Sequence, residues 1–262
     1  MVTARTIIDY VEGLAGHPLN RDEGIQHGCA EREVSRVLVC WMATVDALRY
    51  AGEAGCDLVL THESLYYPYD ALVRQDNPPG WQDWQTNRQR RDQLVQHDLV
   101  LLRVHGSLDE ICILDDFAAV LGLGAPVEAV DMAKVYEILP CTLSQLVARI
   151  KERTSMPAVR VSAPKGMEQM VHRVGLPWGG LGLFVNVSYQ QRLIELGCDV
   201  FIGGETDNYG FRFSAECSIP MIETGHEISE NPGLEHFSQM LQERIPELDV
   251  RYYQCGPIWQ MD

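Results

Sequence analysis

Apolar and polar stretches alternate along the chain in a way that predicts short buried strands separated by amphipathic helices. Met1 to Leu19 carries Ile7, Ile8, Tyr10, Val11 and Leu14 at helical intervals, with Asp9 and Glu12 among them, and predicts a helix with one apolar face. Asn20 to Gly28 is polar, punctuated by glycine, and predicts a loop. Ser35 to Met42 is dominated by an unbroken apolar run and predicts a buried strand. Thr44 is placed to cap a helix over Val45 to Ala54, Gly55 ends it, and Asp57 to Thr61 predicts the next strand. Such a strand–helix–strand unit predicts a parallel pair with a covering helix. A loop from Arg74 to Gly80, a helix from Trp81 to His97, a strand from Leu99 to Val104 and a helix from Asp109 to Leu121 follow. Gly122 to Pro126 closes the half.

The second half has the same rhythm. Strands are predicted at Lys134 to Leu139, Ala158 to Ser162, Val171 to Leu176, Asp199 to Ile202, Pro220 to Thr224 and Asp249 to Gln254. Helices are predicted at Leu143 to Arg153, capped by Thr142, at about Tyr189 to Leu196, after Glu205, and from Glu230 to Arg244. The stretch from Glu53 to Glu63 echoes that from Glu195 to Glu205: a helix end, Gly-Cys-Asp, an apolar strand and a terminal Glu. Downstream in each half a strand ends in a His with an acid four residues on, His105 with Asp109 and His226 with Glu230. Gly-X-Asp before a strand is ordinary α/β punctuation, but two features recurring in one order point to duplication. The expectation is two similar α/β units, 1–125 and 126–262, sharing a metal site between them, with about 220–262 packing back on the first.

Bulk composition narrows the function. The chain has 262 residues, 46% hydrophobic and 22% charged, the balance of an ordinary soluble globular protein. Its net charge of −16 disfavours direct binding to nucleic acid or to an anionic membrane, because both are polyanions. No apolar run is long enough to span a bilayer, and the N-terminal stretch lacks the unbroken apolar core of a signal peptide. Eight cysteines without a CxxC, most in apolar surroundings, read as reduced thiols of a cytoplasmic protein.

Three strand ends carry ligand-type side chains: His62 with Glu63, His105 with Asp109, and His226 with Glu230. Each pair alone reads as a solvated helix start. Together they offer three imidazoles and three carboxylates, whereas one ion takes about four to six donors. Six side chains therefore suit two divalent ions about 3.5–4 Å apart. A mixed N/O set without thiolate favours zinc, iron or manganese. Trp178-Gly179-Gly180-Leu181-Gly182 has the look of a phosphate-cradling loop, but lacks the Lys-Ser/Thr of a P-loop and the spacing of a dinucleotide fingerprint. No Gly-X-Ser-X-Gly elbow is present, which disfavours a serine hydrolase. Tyr66-Tyr67-Pro68-Tyr69 reads either as a stacking surface for a planar base or as an oligomer contact.

Four motifs in order resemble the Nif-three-like family of dinuclear-metal proteins, whose members carry the name type-two GTP cyclohydrolase I. They are Thr61-His62-Glu63-Ser64, His105-Gly106-Ser107-Leu108-Asp109, Gly203-Gly204-Glu205 and Gly225-His226-Glu227-Ile228-Ser229-Glu230. The resemblance runs from about Asp22 to the C-terminus and implies His62, His105, Asp109, His226 and Glu230 as metal ligands. It also implies a two-domain α/β/α architecture with mixed sheets and a homohexamer with metal sites facing its interior. The family's second His is Glu63 here, a change that either makes the site harder and more anionic or leaves one ion weakly held, and its Thr is Gly203. The function expected is hydrolysis of a nucleotide-like or phosphorylated small molecule by a metal-activated water, GTP cyclohydrolase-type chemistry included. Glu205 is the candidate general base, although a carboxylate at a helix N-terminus also reads as a response to the helix dipole. A non-catalytic metal-binding oligomer with a regulatory, scaffold or metallochaperone role is the alternative. A weaker one is a transcription-associated protein acting through another protein.

Overall fold

A computed structural model describes residues 1–259 of the chain. The backbone divides into two compact units: Met1–Cys112 with Gly233–Cys255, and Ile113–Pro232 with the chain from Gly256.

Unit 1 opens with helix α1 (Ala4–Ala15), whose apolar stripe buries Ala4, Ile7, Ile8 and Val11. Thr3 and Thr6 form a reciprocal capping box at its start, and Gly16, at φ +76°, turns the chain out of it. The polar segment after it contains a short strand, β1 (Gly24–His27), where the sequence predicts only a loop. Its four residues are all half-buried and show no alternation, so no periodicity announces it; pairing with a neighbouring edge makes it a strand. Then come β2 (Arg36–Cys40), α2 (Val45–Glu53), β3 (Leu58–Thr61), a 3₁₀ turn Trp81–Asp83, α3 (Gln85–Gln96) and β4 (Val100–Arg103). Thr44 Oγ1 accepts from the Ala47 amide, capping α2 as its position predicts. A single turn, α4 (Gly106–Leu108), and a π-helical turn, Asp109–Ile113, lead to α5 (Leu114–Val120), so the helix predicted from Asp109 is divided into a π-helical turn and a short α-helix, with one further turn before it.

Unit 2 contains α5, then β5 (Pro126–Val130) and β6 (Ala133–Thr142), an antiparallel pair. β5 is exposed along its whole length, which is why no apolar signal marks it. There follow α6 (Leu143–Thr154), β7 (Arg160–Ser162), β8 (Met170–Gly175), a 3₁₀ turn Phe184–Asn186, α7 (Val187–Glu195), β9 (Val200–Gly203), α8 (Asn208–Glu216) and β10 (Met221–Glu223). Helix α9 (His226–Arg244) includes Pro232, and the division between the units falls just after that residue. The final strand, β11 (Asp249–Tyr253), joins the sheet of unit 1.

Each unit is built on one mixed sheet. In unit 1 the order is β1-β4-β3-β2-β11, with β1 antiparallel and the other pairings parallel. In unit 2 the order is β5-β6-β8-β9-β10-β7, with a parallel centre β8-β9-β10. Strands β3, β4, β9 and β10 are buried throughout, as parallel strands with both faces covered must be. Leu48, Ala51, Val59, Leu94 and Leu101 pack together in unit 1; Val135, Leu193, Phe201 and Met221 do so in unit 2.

The sequence echo has a structural counterpart down to single hydrogen bonds. In unit 1 the Asp57 carboxylate accepts from the Ser35 and Arg36 amides at 2.8 and 2.9 Å. In unit 2 Asp199 accepts from the His172 and Arg173 amides at 3.1 and 2.9 Å. Arg36 donates to the carbonyls of Ala54 and Gly55, and Arg173 to those of Leu196 and Gly197. Gly55 and Gly197 both hold positive φ, +68° and +84°. The same corner is made twice by the same residue types.

Candidate metal centre

Parallel pairing at strand ends sets the site in unit 1. Thr61, the last residue of β3, is in register with Arg103, the last of β4. The chain leaves both strands at the same level, so His62 and His105 come side by side, their ring centroids 4.8 Å apart. Ligand atoms of His62, Glu63 and His105 all lie within 4.8 Å of one another. Asp109 Oδ1 lies 3.9 Å from His62 Nε2. His62 and Glu63 are buried.

The tautomers are fixed by what each ring touches. His62 Nδ1 lies 3.2 Å from the Val104 carbonyl, which can only accept, so Nδ1 carries the proton and Nε2 the lone pair. His105 Nδ1 lies 2.9 Å from Asp22 Oδ2 and donates in the same way. The hydrogen bond with His105 holds the Asp22 carboxyl down at about 2, against the opposing effect of burial. Glu23 accepts from the amides of His105 and Ser107 at 2.7 and 2.9 Å and from the Ser107 hydroxyl, clamping the turn that carries His105. His62 Nε2 faces Asp109 and His105 Nε2 lies 3.3 Å from the Tyr69 hydroxyl; rings oriented through the other nitrogen are how a protein arms histidines for a divalent ion. The donor set fits such an ion, and these residues can hold one.

Unit 2 uses the same device. Glu223, the last residue of β10, is in register with Gly203, the last of β9. Glu205 and His226 follow these ends, and His226 Nδ1 donates to Glu205 Oε2 at 3.0 Å. His226 Nε2 faces Glu230 Oε1 at 3.2 Å, one turn along α9, and the Glu230 side chain is 3% exposed. The glycine loop 179–182 explains itself here. A methyl on Gly179 would stand 2.1 Å from Glu230 Oε1, and one on Gly204 would stand 2.5 Å from the Gly179 backbone and from Ser229 Oγ. Ser229 Oγ accepts from the Gly179 amide, and Gly179 and Pro177 carbonyls accept from Glu205 and Gly204 amides. The glycines let backbone lie directly on the His–Glu pair.

Asp22, Glu23, Tyr69 and Arg103 belong to the unit 1 site but are absent from the ligand set read from sequence. One signal was there: Arg103 is a charge at the end of an otherwise apolar strand, Val100–Arg103, and is wholly buried. A cleft of about 660 Å³ opens beside His105, lined also by Arg21, Asp22, Asp70, Val73, Arg74 and Gln75. Among the described residues no helix is long and apolar enough to cross a membrane.

Comparison with known proteins covers the whole of this architecture. A model of the Duf34/NIF3 (NGG1p interacting factor 3) family matches residues 2–256. A Clostridium perfringens protein named GTP cyclohydrolase 1 type 2 homolog is 22% identical, over 94% of this chain and 93% of its own. Among solved structures, a Bacillus cereus protein related to NIF3 superposes with a TM-score of 0.80 at 13% identity, covering 100% of this chain and 99% of its own. A Staphylococcus aureus hypothetical protein gives a TM-score of 0.79 at 16% identity, covering 99% of each.

Proposed function

The chain belongs to the Duf34/NIF3 family, and on that premise we propose that it is a dinuclear-metal-dependent hydrolase of a nucleotide-like or phosphorylated small molecule. GTP cyclohydrolase-type chemistry is included, a reading supported by the name of the Clostridium perfringens relative. The single observation that carries the proposal is the arming of the histidines. Three imidazoles, at His62, His105 and His226, each lie with Nδ1 against a carbonyl or carboxylate; Nε2 lies near a carboxylate in His62 and His226 and near the Tyr69 hydroxyl in His105. The ligands proposed are His62, Glu63, His105, Asp109, His226 and Glu230, for two divalent ions of zinc, iron or manganese. Bound ions would acidify a water near neutral pH and offset the negative charge that grows on the substrate during attack.

The chain's own residues supply the rest. Val104 carbonyl, Asp22 and Glu205 keep the three rings in one tautomer. Glu205 is proposed as the general base: its side chain is 47% exposed beside His226, within reach of an incoming proton. The cleft at His105 carries both signs of charge, Arg21 and Arg74 with Asp22 and Asp70, and Arg74 is already paired with Asp76, which leaves Arg21 as the candidate contact for an anionic substrate group. A homohexamer is proposed from the family resemblance, and a cytoplasmic location from eight cysteines without a CxxC, most of them buried.

The test is elemental analysis of the purified, metal-replete protein, with turnover measured on a panel of nucleotides and phosphoesters. Two ions per chain and turnover lost in Asp109→Ala are expected. No bound metal would overturn the reading. Two ions without turnover anywhere on the panel would instead favour a metal-binding oligomer with a regulatory, scaffold or metallochaperone role.

A further inference from the structure

Arg103 ends β4 with no exposed surface at all. A guanidinium taken fully out of water costs several kcal/mol unless every donor is met, and an aliphatic side chain would fill the same strand position without that cost. Its partners explain its presence. Nη1 donates to Asp70 Oδ1 at 2.5 Å and to the Asp22 carbonyl at 3.3 Å, and lies 3.2 Å from Asp22 Oδ2. Nε donates to the His62 carbonyl at 3.1 Å, and Nη2 to the Tyr69 hydroxyl at 3.0 Å.

Three of these contacts lead to the two histidines. The Asp22 oxygen beside Arg103 is the one that takes the His105 Nδ1 proton. The Tyr69 hydroxyl that Arg103 holds lies 3.3 Å from His105 Nε2. The His62 carbonyl belongs to the other ligand's own backbone. An ion pair that merely pinned the 64–73 segment would need Asp70 alone.

We propose that Arg103 is a positioning residue for divalent-metal binding in unit 1, setting the direction of His105 through Asp22 and of His62 through its backbone. This rests on the reading of His62 and His105 as metal ligands. A lysine cannot replace it, because one ammonium on a flexible stem cannot meet acceptors on three sides with the fixed fork of a guanidinium.

The full chain, as wild type, Arg103→Lys, Asp22→Asn and the double variant, is titrated with Zn²⁺ against a chromophoric chelator and with Co²⁺ by its visible absorption. Circular dichroism checks folding. Each single variant is expected to bind about 10–100-fold more weakly, the range typical of lost ligand-orienting partners, with an altered Co²⁺ spectrum. The double variant is expected to lose less than the two single losses combined, because the part of Arg103's effect that reaches His105 passes through Asp22. A folded Arg103→Lys with wild-type affinity and spectrum would overturn the proposal, as would losses that simply add. Should Arg103→Lys fail to fold, Asp22→Asn decides: binding within twofold of wild type overturns the proposal. Wild type that takes up neither ion overturns the metal reading itself, and the positioning role falls with it; wild type that binds while the variants are unaffected removes the positioning role alone.

Discussion

Gly179 holds φ +50° and faces Glu230 so closely that no side chain fits. An added methyl must push aside either the carboxylate or the backbone of the loop. Gly179→Ala is expected to destabilise the fold by more than about 1 kcal/mol, since alanine is strained at positive φ and the contact adds to that. It is also expected to weaken metal uptake at the His226–Glu230 pair. Urea unfolding and a Zn²⁺ titration check both, and wild-type values in each would show that Glu230 has room to move. The sequence marks residues 178–182 as a glycine loop of uncertain purpose; the purpose is close approach, because glycine is the residue that lets backbone meet a side-chain oxygen directly. His62, Glu63, His105, Asp109, His226 and Glu230 were legible as donor types at strand ends. Asp22 and Arg103 were not, because what matters about them is which ring or carbonyl they touch, and they are about eighty residues apart in the chain.

At the scale of elements, the repeated corner shows how duplication and divergence coexist. Asp57 and Asp199 tie the start of a parallel strand to its neighbour in the same way in the two units. One place beyond the corner the chemistry is inverted. The strand-end residue beside the site is Arg103 in unit 1, held by Asp22 and Asp70, and Glu223 in unit 2, held by Arg160. Either polarity satisfies a charge at a strand end, provided a partner of opposite sign comes with it. The outermost parallel pairing of unit 1, β11 on β2, is fastened by Arg36 and Asp249 at 2.6 Å. Hydrogen bonds from Arg36 and then Arg251 lower the Asp249 pKa. A carboxyl lowered on folding stabilises the fold above its unfolded pKa, about 4, and loses that contribution as pH falls through the folded value. Asp249→Asn is therefore expected to flatten the acid limb of a stability-against-pH curve followed by urea unfolding; an unchanged limb would show the pair to be screened by solvent.

For the whole molecule, the family resemblance carries an expectation of assembly. Light scattering on the purified protein is expected to give about six times the 29.5 kDa chain mass; a monomer at micromolar concentration would remove the hexamer. The net charge of −16 concerns solubility and choice of partner, and says nothing of the fold.

Hydrophobic periodicity, glycine punctuation and the Gly-Cys-Asp echo were sufficient for an α/β chain of two similar units and for the strand ends that carry ligand-type residues, because those features arise from contacts local in sequence. Pairing partners are not local. β1 is a strand because β4 offers it an edge, and β11 returns to β2 across most of the chain. The tautomers of His62 and His105 depend on Val104 and Asp22, brought to them by the folded sheet. Sequence therefore determined which donors the chain possesses, whereas tertiary structure decided which nitrogen of each ring faces the site, since that is set by a hydrogen bond only folding can make.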